Sequence, residues 1–328
     1  MDLDRRSLLR LAAGSVVASA LAPRARPPAR RRPGAAEAAP RALVTADLDG
    51  FVAVVDVERR RVERRVATLA GPRSVEARAG AGALVCHATE GAVTLLDGPP
   101  VHVRRVLRGF GEPRYAAIAP TGRHAFVTDL AHGELVVVDL RRGRVVRRLE
   151  VGAGARHVTL DPQGRTLWIA LGSTATALVV VDVRDPVVPR VVRRIRPPFG
   201  AHDVAFSPSG RRVWVTAGRP PRLALYRASG QRPVAILGAD AAPQHVTFGP
   251  HAAYVASGAG RTLNVHALAD GAVRHRARTP LGSYNVARGA GIVLTPSLGS
   301  GELTALDGAG GVRWSLAIAG AAHDACVM

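Results

Sequence analysis

The 328-residue chain is 47% hydrophobic but only 4% aromatic, so Val, Ala and Leu do most of the burying, and 35 Gly with 23 Pro suit a fold of many tight turns. Its formal charge of +20 comes from arginine alone, with no lysine, and favours anionic partners without specifying a fold. No apolar run of about 18 residues excludes a permanent spanning helix, and two cysteines without CxxC spacing exclude a structural zinc or iron–sulfur site.

The chain opens on Asp4-Arg5-Arg6-Ser7-Leu8-Leu9-Arg10, followed by a modest apolar stretch from Leu11 to Leu21 and the small-residue run Ala18-Ser19-Ala20. This order of charged, apolar and small segments resembles a twin-arginine export signal over residues 1–22. The resemblance implies delivery to the periplasm, cell envelope or exterior, by a route that carries folded proteins. Residues 23–41, rich in Pro, Ala and Arg, lack apolar periodicity and read as a disordered basic linker.

From residue 42 onward a unit of about forty residues recurs. A short apolar strand runs into a Pro-x-Gly turn at Pro120-Thr121-Gly122, Pro162-Gln163-Gly164 and Pro208-Ser209-Gly210. A second strand follows, as in Ala125-Phe126-Val127-Thr128 and Val213-Trp214-Val215-Thr216. A third ends in Asp (Val136-Val137-Val138-Asp139, Val179-Val180-Val181-Asp182), and a fourth is basic (Val145-Val146-Arg147-Arg148, Val191-Val192-Arg193-Arg194). First-strand anchors fall at Val75, Ala116, Val158, Val204, Val246, Val286 and Ala325, at intervals of 41, 42, 46, 42, 40 and 39 residues. Four strands at this period predict a propeller blade, and seven anchors predict seven blades over 42–328.

The chain ends agree with that count. Residues 42–69 supply strands two to four without a first, whereas His323 to Met328 supply a first strand with nothing after it. Joined, they complete one blade and close the ring, removing open sheet edges. The Pro-x-Gly turn and the Val-Thr of the second strand (Val44-Thr45, Val127-Thr128, Val215-Thr216) resemble the YVTN-type, YncE-like and surface-layer-like propeller repeats. That resemblance implies an all-β propeller and leaves function open, since the scaffold serves surface proteins, binding modules and a few enzymes.

Candidate chemistry lies just before each anchor, where seven loops converge on one channel mouth. The pairs read Arg73-Ser74, Arg114-Tyr115, Arg156-His157, His202-Asp203, Gln244-His245, Tyr284-Asn285 and His323-Asp324. All fourteen residues are polar or aromatic. They could satisfy one another, with His202-Asp203 and His323-Asp324 as pairs. Alternatively Arg73, Arg114 and Arg156 could hold a carboxylate or phosphate while His202 or His323 orients it. Four histidines could hold copper or zinc, but three nearby arginines oppose a dication, so no metal is assigned. No hydrolase elbow, phosphate loop or metalloprotease motif occurs.

The expectation is therefore a binding scaffold of the envelope for an anionic small molecule, an envelope polymer or another envelope protein, with no cofactor assigned. A lactonase- or lyase-like enzyme at the same mouth is the alternative. Outer-strand arginine runs (Arg59-Arg60-Arg61, Arg64-Arg65, Arg141-Arg142) read as edge protection rather than a nucleic-acid surface. Cys86 and Cys326 fall on neighbouring blades, either as a ring-locking disulfide or as two small buried residues.

Overall fold

A computed structural model describes residues 39–78 and 82–328; the segment read as an export signal and most of that read as a linker lie outside them. The described chain is all β, with seven four-stranded antiparallel sheets. Blades 1 to 6 occupy residues 72–108, 113–150, 155–195, 201–238, 246–278 and 287–317. Blade 7 joins Ala322–Val327 to Arg41–Ala46, Phe51–Asp56 and Arg61–Ala67, the closure that the chain ends foretold. The first strand of this part starts at Arg41, one residue before the boundary read from sequence. Arg41 pairs with Asp56 across the sheet and with Glu63 through its guanidinium at 2.6 Å. No helix among the described residues is long and apolar enough to cross a membrane.

Each repeat signature has a local cause. In the Pro-x-Gly turns the amides of Gly122, Gly164 and Gly210 each donate to the carbonyl three residues back at 2.8 Å. Each glycine sits at φ near +70° (66°, 70° and 68°), where a Cβ would be strained, while Pro presets the turn's first corner. The Asp ending the third strand caps the next hairpin. Asp56 accepts from the Arg59 amide (2.8 Å), Asp139 from Arg142 (2.9 Å) and Asp182 from Arg184 (3.0 Å). A bulge between strands three and four recurs in all seven blades and adds local twist.

The apolar faces are buried between blades rather than at the axis. Trp168 and Tyr226, both fully buried, meet at 5.5 Å between blades 3 and 4. At the rim, outer-strand arginines of blade 3 reach its neighbours on both sides: Arg193 donates to the Ala228 and Gly230 carbonyls of blade 4 at 2.7 and 3.0 Å, and Arg194 to Val151, just after blade 2, at 2.8 Å. The basic fourth strands thus tie blades together besides charging their edges. Cys86 and Cys326 are free thiols, each buried in a different interblade cluster. Of the two alternatives, the structure holds them as small buried residues, and burial pushes the Cys86 thiol up to about 12.

Candidate functional site

The first strands line a channel that widens into a cavity of about 510 Å³. Strand alternation decides what faces it. The residues immediately before the anchors, among them Tyr115, His157, Asp203, His245, Asn285 and Asp324, point inward at one end. One strand period deeper come Ala117, Ala205 and Ala287, together with the carboxyl of Glu76.

A ring of buried threonines holds this end rigid. The second-strand Thr216 hydroxyl donates to the Gln244 carbonyl of the next blade at 2.6 Å and accepts from the Asp203 amide at 3.0 Å. Thr128 likewise donates to the Arg156 carbonyl of the next blade, and Thr45 accepts from the Asp324 amide at 2.9 Å. At Thr128 and Thr216 the Val-Thr of the repeat is therefore a joint between blades, whereas Thr45 ties together the two chain ends within blade 7. Two ring aspartates do the same work. Asp203 accepts from Val204 (2.8 Å) and from Val246 of the following blade (3.3 Å); Asp324 accepts from Ala325 (2.9 Å) and from Val75 (3.0 Å).

The sequence-adjacent His–Asp pairs do not pair with each other, because neighbouring residues on a strand diverge. Asp203 instead faces His245, with Oδ2 3.4 Å from Nδ1. His202 Nδ1 lies 2.9 Å from the Ser173 carbonyl, and His323 Nδ1 meets the Arg73 carbonyl. A register shift between Ala201 and Val204 turns His202 toward the ring beside Asp203.

The arginines also divide. Arg73 is paired with Asp47 at 2.8 Å and Arg114 with Glu112 at 2.7 Å. Arg156 has no carboxylate partner among the described residues, and burial brings its guanidinium down to about 10. Tyr284 leaves the ring altogether: its ring lies on Gly258 of blade 5, where an added Cβ would sit 2.2 Å from it.

What gathers is one aromatic and three imidazoles from four consecutive blades. Ring centroids stand 4.4 Å apart for Tyr115–His157, 4.5 Å for His157–His202, 4.9 Å for His157–His245 and 5.6 Å for His202–His245. The Tyr115 hydroxyl approaches His245 Nε2 at 3.3 Å. Burial keeps Tyr115, His157 and His202 neutral. It drives His157 well below the usual histidine range and His202 down to about 4, and raises the Tyr115 phenol to about 12. His157 is 1% exposed, and neither ring nitrogen has a hydrogen-bond partner.

Sequence reading missed Glu76, Asp47 and Glu112. For Glu76 the signal was present, since it lies two residues beyond ring position Ser74 on the same strand face. The partners Asp47 and Glu112 sit in loops that no repeat position marks.

No family model matches the chain, and no curated protein matches it. Solved structures do. A functionally unknown protein from Desulfotomaculum acetoxidans superposes with a TM-score of 0.77 at 12% identity, over 88% of this chain and 98% of that one. Apo AztD from Citrobacter koseri gives 0.69 at 12%, over 88% and 97%. A candidate 6-phosphogluconolactonase from Bacteroides fragilis gives 0.74 at 10%, over 90% and 99%. At these identities the likeness is one of fold, the seven-bladed propeller class.

Proposed function

We propose that this propeller is an exported envelope protein of the YVTN-type repeat class that binds a small ligand at the Tyr115/His157/His202/His245 end of its channel. The observation that carries the reading is His157. A buried polar group without a partner costs about 1–3 kcal/mol, and its neighbours in the ring are largely satisfied by backbone or by carboxylates. An imidazole left with both nitrogens unpaired beside a cavity of about 510 Å³ is suited to a partner that arrives from solvent.

Binding is favoured over lactonase- or lyase-like catalysis by the two ring carboxylates. Asp203 and Asp324 each accept two backbone amides, one of them from the following blade, so both carboxylates are held as structural joints. An anionic ligand, the expectation from composition, would find Arg156 and the cavity-lining Arg288 without a carboxylate partner among the described residues.

Native mass spectrometry on protein purified from its own envelope tests this. The expected result is a retained species of defined mass that is lost in a Tyr115→Ala/His157→Ala double variant. Identical spectra for both proteins would overturn the ligand site. Export is tested separately: Arg5→Lys/Arg6→Lys should leave the precursor in the cytoplasm, and normal delivery of that variant would refute the twin-arginine route.

A further inference from the structure

Among the described residues, two groups of side chains come close enough to share a cation. In the first, Asp129, His132 and Glu134, the Asp129 carboxylate is already committed to the Gly111 and Glu112 amides and the His132 ring. The second is His157, His202 and His245, each offering one nitrogen, all within 4.8 Å of one another.

Their surroundings are those of metal-binding imidazoles. A carbonyl can only accept, so the Ser173 carbonyl fixes the proton of His202 on Nδ1 and leaves the Nε2 lone pair available. The Asp203 carboxylate beside His245 Nδ1 likewise favours the proton there, and Asp203 is itself anchored by two amides; the Tyr115 hydroxyl, 3.3 Å from Nε2, must turn away for that lone pair to reach an ion. Such outer partners orient ligating histidines and raise their basicity. His157, deepest of the three, keeps both nitrogens unpaired.

We propose that His157, His202 and His245 form a three-imidazole site for a divalent transition metal of the zinc and copper class, its fourth position open to the channel. This deepens the ligand-site reading above and rests on it. Imidazole sets select such ions over Ca²⁺ and Mg²⁺, which take oxygen ligands. Three histidines with an open position is a known zinc arrangement, whose nitrogens stand about 3.4 Å apart at bonds of about 2.1 Å. Closing from within 4.8 Å to that spacing needs side-chain rotation rather than backbone movement. The arginines that argued against a dication are partly answered: Arg73 and Arg114 have carboxylate partners and Asp203 lines the same cavity, while Arg156 beside His157 keeps an unpaired charge. The open position would let the ion accept a small donor molecule from the channel.

The test uses the mature protein, stripped with a chelator and dialysed. Zn²⁺ and Cu²⁺ are titrated separately against a chromophoric competitor, with Ca²⁺ and Mg²⁺ as controls. One equivalent of Zn²⁺ or Cu²⁺ should bind, weakened at least about 100-fold by His157→Ala and by His245→Ala. His102→Ala, on an exposed outer strand, should change nothing. Circular dichroism melts check that each variant folds. Should the alanine variants not fold, the Co²⁺ visible spectrum of the wild-type protein decides: intense tetrahedral bands support the site, and an octahedral spectrum overturns it. Binding that survives His157→Ala also overturns it, because that ion sits elsewhere. If no ion binds but a retained organic molecule is lost in the Tyr115→Ala/His157→Ala variant, the metal assignment fails and the ligand site stands. If neither ion nor molecule binds, both fail.

Discussion

The innermost and outermost strands of the propeller solve one problem, holding adjacent blades together, by opposite means. At the inner ring the joints are short and buried: Thr216 to Gln244, Asp203 to Val246, Asp324 to Val75. At the rim they are long arginines laid over the surface, such as Arg193, which reaches three carbonyls of blade 4 and covers the Trp168 ring at 5.8 Å. Buried joints are costly to leave unmade, whereas exposed ones compete with water. The inner ring can therefore carry rigid, partly unsatisfied chemistry that the rim could not hold.

The comparison breaks most visibly at Asp203. Asp203→Ala strips an acceptor from two buried amides on two blades, and should cost about 3 kcal/mol in a denaturant melt. A loss below about 1 kcal/mol would mean that water replaces the carboxylate. Thr216→Val keeps the shape and removes one hydroxyl, with about 2 kcal/mol expected.

Acid should weaken the inner ring through its histidines. His323 is held well below the ordinary histidine range, chiefly by desolvation and next by Arg73. Its folded pKa is thus depressed, so the unfolded chain takes the proton first. The stability is complete above the unfolded value near 6.5 and drains away as pH falls below it. Between pH 7.5 and 5.5 His323→Gln should lose about 1 kcal/mol less than the parent, measured by paired melts. Equal losses would show that His323 is protonated in the native state.

Replacing the unpaired imidazole should act in the other direction. His157→Phe is expected to stabilise the ligand-free protein by about 1 kcal/mol while abolishing ligand retention, the trade expected of a functional residue. The smallest effect belongs to the rim, where Arg193→Ala should cost about 0.5 kcal/mol, read as a slight shift in midpoint. A larger loss would place the rim on a par with the ring.

Much of the scaffold was legible because its signals are local. A Pro-x-Gly turn, a Val-Thr pair and a strand ending in Asp act within a few residues or at one fixed place in every blade, so repetition exposes them. Their roles reach beyond one blade: the Val-Thr pairs at Thr128 and Thr216 join neighbouring blades, and arginines of the basic fourth strands tie across them. The site was legible only as a set of polar positions. Of the positions just before the anchors, Tyr115, His157, His202 and His245 come together while Tyr284 does not. The pairing of His202 with Asp203 and of His323 with Asp324, one of the alternatives the sequence allows, is not formed. On a strand those neighbours diverge, and their true partners, the Ser173 carbonyl for His202 and the Val75 amide for Asp324, come from other blades.

By itself the sequence determined the seven blades, their four strands and the closure of the ring, because strand alternation, turn chemistry and repeat spacing act along the chain. Tertiary structure decided which arginines already had carboxylates, that the two thiols are buried in different interblade clusters, and that Tyr115, His157, His202 and His245 meet. Those outcomes depend on distances between loops of different blades, which are set by how the sheets pack around the channel and leave no periodic trace in the residues.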